Sequence, residues 1–189
     1  AWFTSMSAST NWPTTPGAYN TSNAGNYDVT VNCLSADGNS MVYGTYIGGS
    51  STDAGKGIDI DQSGYVYVAG LAASTNYPVQ NAEQATNKGG YDWVTTIFEP
   101  DLSDIVCSTY YGGTSTDYGQ DIVAHRYPSP VEYRRTVAGE AYTGFPQVPD
   151  GSPIWGGGGG YDAAVVDMTC GGALLEVGNE AFSSIPQTH

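Results

Sequence analysis

The sequence predicts a single all-β repeat domain of about three four-stranded antiparallel units, on the strength of three features. Short apolar runs alternate with turn-forming residues along the 189 residues, and no stretch is patterned as a long amphipathic helix. Gly and Pro, 26 and 10 residues, are spread without a collagen-like period. Three landmarks recur in the same order at about one period, which is how stacked repeat units announce themselves.

The first landmark, Ser9-Thr10-Asn11-Trp12-Pro13, returns as Ser74-Thr75-Asn76-Tyr77-Pro78 and weakly as Tyr142-Thr143-Gly144-Phe145-Pro146. The second, Tyr27-Asp28 after a Gly-containing stretch, returns as Tyr91-Asp92 and Tyr161-Asp162. The third runs from Thr45 through Gly48-Gly49 to Asp53 and returns from Thr109 through Gly112-Gly113 to Asp117.

Each element of one period follows from local chemistry. Gly57-Ile58-Asp59-Ile60-Asp61 alternates apolar and polar, turns at Gln62-Ser63-Gly64, and continues as Tyr65 to Leu71, a natural hairpin. A long loop rich in Asn, Pro and Gly leads to a third strand, Asp92 to Phe98. Turn residues Glu99 to Ser103 return the chain along a fourth, Asp104 to Tyr111. Four antiparallel strands in about 64 residues describe one blade of a propeller. The approximate units are 1–47, 48–111 and 112–182, with a tail at 183–189.

These stretches resemble the bacterial seven-bladed β-propeller (SBBP) repeat. Tyr43 to Gly49, Asp53 to Gly70, Ser9 to Tyr19 and Gly90 to Ile97 carry the resemblance, which weakens between Arg126 and Arg135 and again after Leu175. It implies a propeller-like fold in surface or secreted proteins and no particular activity, so function has to come from sites.

Counting strands sharpens the expectation. Ala1 to Ser7 aligns with Val66 to Ala72, the second strand of a unit, and the last recognisable strand, Ala173 to Gly178, aligns with a fourth. That gives a propeller-like array of 11–12 strands. Three blades are too few to close a ring, since propellers have about 4–8. An unclosed array leaves strand edges with unpaired N–H and C=O groups. Oligomerisation or open-ended assembly is therefore expected to complete it, with a neighbouring chain beside the strand around Trp2-Phe3, through the tail Ser183 to His189.

Composition narrows the partners. Nineteen acidic residues against five basic ones give a net charge of −14, which repels phosphate backbones and disfavours nucleic acid. No apolar run is long enough to span a membrane. The chain opens at Ala1 without an initiator Met, as expected of a secreted protein after signal-peptide removal. Asn20-Thr21-Ser22 is a glycosylation-type sequon. Cys33, Cys107 and Cys170 show no metal-type spacing; two could pair and leave one over, or all three could be small buried apolar residues.

Candidate chemistry is sparse. Asp59-Ile60-Asp61-Gln62-Ser63-Gly64 opens like a calcium loop, but position twelve is Gly70, so a plain hairpin turn is expected. Asp53 and Asp117 read as turn-capping side chains. The only histidines are His125, in an irregular segment, and His189. The run Gly156 to Gly160 has no following Lys-Ser/Thr and reads as a loop. No catalytic, cofactor-binding or metal-binding residue is singled out, and a non-catalytic role is expected. Trp12, Tyr77 and Phe145 hold the same place in three repeats; they could stack on glycans, although rings repeated at fixed phase are more often core. A self-assembling extracellular structural or adhesive subunit is the expectation, with an oligomeric lectin as its rival.

Overall fold

The structure is a computed structural model that describes residues 1–125, 133–142, 144–146 and 162–170. Among these residues there are ten strands and no helix. They are β1 (Trp2–Ser7), β2 (Asp28–Leu34), β3 (Met41–Ile47), β4 (Asp53–Ile60), β5 (Val66–Ala72), β6 (Asp92–Phe98), β7 (Ile105–Tyr111), β8 (Tyr118–Ala124), β9 (Arg135–Ala141) and β10 (Asp162–Met168).

The strands form three antiparallel sheets in chain order, β1-β2-β3, β4-β5-β6-β7 and β8-β9-β10. The expected all-β, propeller-like array of unclosed blades is what is present. Ala1 to Ser7 does take the role of a second strand: Ser7 pairs with Asp28 as Ala72 pairs with Asp92. The strand expected at Ala173 to Gly178, the tail 183–189 and the run Gly156 to Gly160 lie outside the described residues.

The middle hairpin begins earlier than its alternation suggests. β4 starts at Asp53 because Asp53, Ala54 and Gly55 pair with Ala72, Leu71 and Gly70, and the register then shifts between Gly55 and Gly57. Lys56 is the extra residue of this bulge, which flips the inside–outside phase and hides the first half of the strand from a period-two reading. Gln120 repeats the device between Gly119 and Asp121 in β8.

Two apolar clusters glue the sheets together. Val29, Val31, Ile47, Val66, Val68, Phe98 and Leu102 belong to one, between the first and second sheets. Trp93, Ile97, Tyr111, Val137, Val166 and Met168 belong to the other, between the second and third. β5 and β6, central in the central sheet, are buried at every position. That two-sided burial explains the small and apolar sequence of β5, Val-Tyr-Val-Ala-Gly-Leu-Ala.

The sheet edges are treated unequally. In the first two units the long loop folds back onto the unit's own fourth strand. Thr15 N–H donates to Gly44 O (3.1 Å) and Tyr46 N–H to Asn20 O (3.0 Å). In the second unit Gln80 and Ser108 exchange both backbone bonds (2.9 and 2.8 Å), and Tyr110 N–H donates to Gln84 O (3.1 Å). The outer edges of the first two sheets, β3 and β7, are thus capped from within the chain. β1 differs from its counterpart β5: among the described residues it pairs with one strand, β2, where β5 pairs with two.

Candidate functional site

The residues that recur at each unit boundary build a polar joint. Asp28 and Asp92 open their strands, fully buried, and each uses Oδ2 to cap the preceding Gly-containing turn. Ala24 N–H donates to Asp28 (2.7 Å), and Lys88 N–H donates to Asp92 (2.9 Å). Their Oδ1 atoms are buried, with no partner among the described residues. A Cβ on Gly48 would collide with Asp28 Oδ1, and one on Gly112 would come within 2.6 Å of Asp92 Cγ. Gly48 and Gly112, the first of each Gly-Gly pair, are therefore required by the carboxylate lying against them, whereas a Cβ on Gly49 would meet Ser74 and Asn76 and one on Gly113 would meet Gly144.

Asp53 and Asp117 are the turn caps the sequence leads one to expect. Gly49 N–H donates to Asp53 Oδ2 (2.7 Å), and Gly113 N–H to Asp117 Oδ2 (2.8 Å). Their own backbones tie consecutive units: Asp53 N–H donates to Tyr27 O (2.8 Å) and Asp117 N–H to Tyr91 O (2.6 Å). Burial raises all four carboxyl pKa values above the ordinary aspartate range. Asp53 adds a repulsive push on Asp28, and Asp117 does the same to Asp92.

Around the first joint runs a continuous buried network. Ser74 Oγ–H donates to Asp53 Oδ2 (2.7 Å), and Ser74 O accepts from Tyr110 Oη (2.6 Å). Tyr110 Oη in turn accepts from Tyr77 N–H (2.8 Å). Tyr77 Oη meets Thr96 Oγ1 (3.1 Å), which meets Ser108 Oγ (3.0 Å). Tyr46 plays the part of Tyr110 in the first unit, accepting from Trp12 N–H (2.8 Å) and donating to Ser9 O (2.6 Å). Sequence reasoning does not single out these two tyrosines, although both follow the Thr that opens the third landmark, Thr45 and Thr109.

Two of the three recurrent aromatics, Tyr77 and Phe145, are core. Tyr77 is 3% and Phe145 7% exposed, and Phe145 packs on Trp93 and Tyr111 at centroid distances of 4.8 and 5.2 Å. Trp12 is half-buried, with its indole N–H donated to Asn32 Oδ1 (2.9 Å). Each ring is matched to its third strand. Trp12 bonds Asn32 and Tyr77 meets Thr96, while Phe145, without a polar tip, shares its cluster with Val166 at the corresponding place in β10. The rings of Tyr77 and Phe145 are buried and present no free face for sugar stacking.

The Asp-rich hairpin is a turn. Asp61 Oδ1 accepts from Ser63 N–H (2.8 Å) and Tyr65 N–H (3.0 Å). Asp59 Oδ2 accepts from Ala124 N–H (3.0 Å), joining the second and third sheets. His125 faces Thr136 Oγ1 (2.6 Å) and Asp167 Oδ1 (3.8 Å), and Asp167 is held by a two-pronged contact with Arg134. Both oxygens approach the same atom, Nε2. A carboxylate–imidazole–hydroxyl relay needs the two ring nitrogens to serve different partners, so this is not that arrangement.

One depression, about 350 Å³, is lined by Gly90, Thr114, Ser115, Thr116 and Tyr142. It lies where the third unit departs from the second. At the first joint Asn76 Oδ1 fills the turn by accepting from Ser50 N–H (2.8 Å), whereas at the second Gly144 comes up against Gly113.

Among the described residues no helix is long and apolar enough to cross a membrane. Residues 42–78, from β3 through β5 to the Tyr77-Pro78 turn, match the SBBP family model, a beta-propeller repeat. No curated protein matches the chain.

Proposed function

We propose that this chain, built on a β-propeller repeat, is a non-catalytic extracellular structural or adhesive subunit that self-associates through the edge of β1. One observation carries the reading. Ala1 and Leu34 exchange both backbone bonds (2.8 and 2.7 Å), which fixes the phase of the β1–β2 ladder. In an antiparallel pair the hydrogen-bonded positions alternate, so Trp2, Thr4 and Met6 aim their N–H and C=O groups away from β2. Their counterparts Tyr67, Ala69 and Leu71 pair across to β4 in the middle sheet. β1 is half-exposed along most of its length, and Met6 is 51% exposed, where β5 is buried throughout.

A strand with the character of β4 or β8 fits this edge, and a second copy of the chain supplies one. Free strand edges recruit strands from other chains, and natural proteins that avoid this guard the edge with Lys, Pro or bulges. β1, Trp-Phe-Thr-Ser-Met-Ser, carries none of those guards. The outer edges of the first two sheets are already capped, which leaves β1 as the open edge of the first sheet. Few Lys and Arg residues, five in all, also offer few sites to basic-residue proteases, as suits a durable exterior. Secretion is read from composition, as argued from sequence.

The test is the mass of the purified chain by light scattering, together with negative-stain microscopy. Oligomers or polymers are expected at micromolar concentration. Met6→Pro removes an outward N–H, and Met6→Lys places a charge at an exposed position; both should return the protein to monomer. A wild-type monomer, or assembly untouched in both variants, refutes the reading. The rival reading, an oligomeric lectin, gains nothing from the buried rings of Tyr77 and Phe145, and a glycan array checks it directly.

A further inference from the structure

The spacing of the three cysteines leaves their pairing open, and the fold brings two of them together. Cys33 lies in β2 of the first sheet, with its thiol near its own neighbour Leu34 O (3.6 Å). Cys107 lies in β7 of the second sheet, and Cys170 follows β10 of the third. The thiols of Cys107 and Cys170 are within hydrogen-bond contact of each other. Cys170 Sγ also reaches Val106 O (3.7 Å), beside Cys107, and both side chains pack in the same apolar cluster. All three are thiols in this structure.

We propose that Cys107 and Cys170 form a disulfide that staples the third sheet to the second, with Cys33 left as a free thiol. The oxidant is a small-molecule or enzyme-borne disulfide. The partly exposed Cys170, as thiolate, attacks one oxidant sulfur, breaks the oxidant S–S bond and expels a thiolate. Cys107, as thiolate, then attacks Cys170 Sγ and expels the second thiolate. Two protons leave the protein thiols, two electrons pass to the oxidant, and two reduced thiols are released. The buried guanidinium of Arg135 stands beside both sulfurs and favours the thiolate at each step. The hydrogen bond with Cys107, together with burial, holds the Cys170 thiol above its ordinary pKa, so the reaction accelerates with rising pH.

The link encloses β8, β9 and β10 in one covalent loop. Cross-links that close long loops restrict the unfolded chain most. For a loop of this length the expected rise in Tm on oxidation is on the order of 10 °C.

The experiment equilibrates the native full chain with oxidised and reduced glutathione at pH 8, quenches with acid, alkylates, and maps peptides by mass spectrometry. A peptide joining Cys107 to Cys170, lighter by two hydrogens, with Cys33 fully alkylated, is expected. Cys33→Ser should keep the link and the redox-dependent Tm, while Cys170→Ser should lose both. Cross-linking of Cys33 to either partner overturns the proposal. So does full alkylation of Cys107 and Cys170, or a stalled glutathione adduct on Cys170.

Discussion

Two adjacent tyrosines should respond in opposite directions to the same deletion of one oxygen. Tyr110 and Tyr111 are both buried in β7, and burial pushes both phenol pKa values up to about 12. Tyr110 Oη accepts from Tyr77 N–H and donates to Ser74 O, and all three residues are buried. Tyr110→Phe strands both backbone groups. Each buried group left unpaired costs about 1–3 kcal/mol, and relief from burying the hydroxyl offsets part of this. The net loss is about 2–4 kcal/mol, or roughly 5–15 °C in Tm for a chain of this size.

Tyr111 Oη is buried with no partner among the described residues. Tyr111→Phe removes an unsatisfied polar atom and keeps the ring against Phe145. It should be neutral or raise stability by up to about 1–2 kcal/mol. Tyr46→Phe provides an internal scale. It breaks the same pair of bonds in the first unit, but Ser9 and Trp12 are half-buried and water can replace the hydroxyl. Its cost should fall near about 1 kcal/mol. Urea and thermal unfolding followed by circular dichroism supply the measurements. Equal losses at positions 110 and 111, or a larger loss at 46 than at 110, would refute the network reasoning.

Three further outcomes follow from the joints and turns. Asp28, Asp53, Asp92 and Asp117 have folded pKa values raised by burial, so their protonated forms favour the fold. That stability is fully present below the ordinary aspartate pKa of 3.8 and declines as pH rises through the folded values. Tm should therefore rise as pH is lowered from neutral toward the ordinary aspartate pKa of 3.8, and Asp28→Asn with Asp92→Asn should flatten the rise; a wild-type Tm that falls throughout this descent contradicts it. Leu102 fills the joint between the first two sheets from a left-handed backbone, φ 60°. Leu102→Ala should cost about 2–5 kcal/mol, and Leu102→Gly no more, because relief of the backbone returns about 1 kcal/mol; a glycine variant clearly worse than alanine in urea unfolding would contradict this. Gly112→Ala forces a methyl onto the Asp92 carboxyl and should lower Tm by several degrees, whereas Gly38→Ala, with open space at its Cβ, loses only through its positive φ of 73°. Thermal scans of the two variants, with equal losses, would show that crowding at the joint is not the reason for Gly112.

Much of the fold is legible in the chain. The strand phases and the second-strand identity of β1 follow from residues that recur at a fixed spacing, because each unit solves the same local problem with the same neighbours, and the turn at Gln62-Ser63-Gly64 follows from its own turn chemistry. The capping roles of Asp53 and Asp117 were readable for the same reason: a carboxylate shortly after a Gly-Gly turn reaches that turn without help from elsewhere. Residues whose partners sit in another unit were not readable. Lys56 and Gln120 obscure strand starts because a bulge breaks the alternation by which strands are recognised. Tyr46 and Tyr110 look like ordinary strand aromatics until the loop they brace is in place. The pairing of Trp12 with Asn32 and of Tyr77 with Thr96 left a trace, polar against polar where the third copy has Phe145 and Val166, but it becomes visible only once the loops and third strands are aligned.

A β-repeat chain in about three units is written into the residue order itself, since periodic turn chemistry and period-two patterning are local properties. Which edges are capped, which cysteines meet and which aromatics face inward became definite only in three dimensions. Those features depend on contacts between segments well separated along the chain, such as Tyr46 with Asn20 and Cys170 with Val106. Distances of that kind are set by how the sheets pack on one another, and no short window of the chain encodes them.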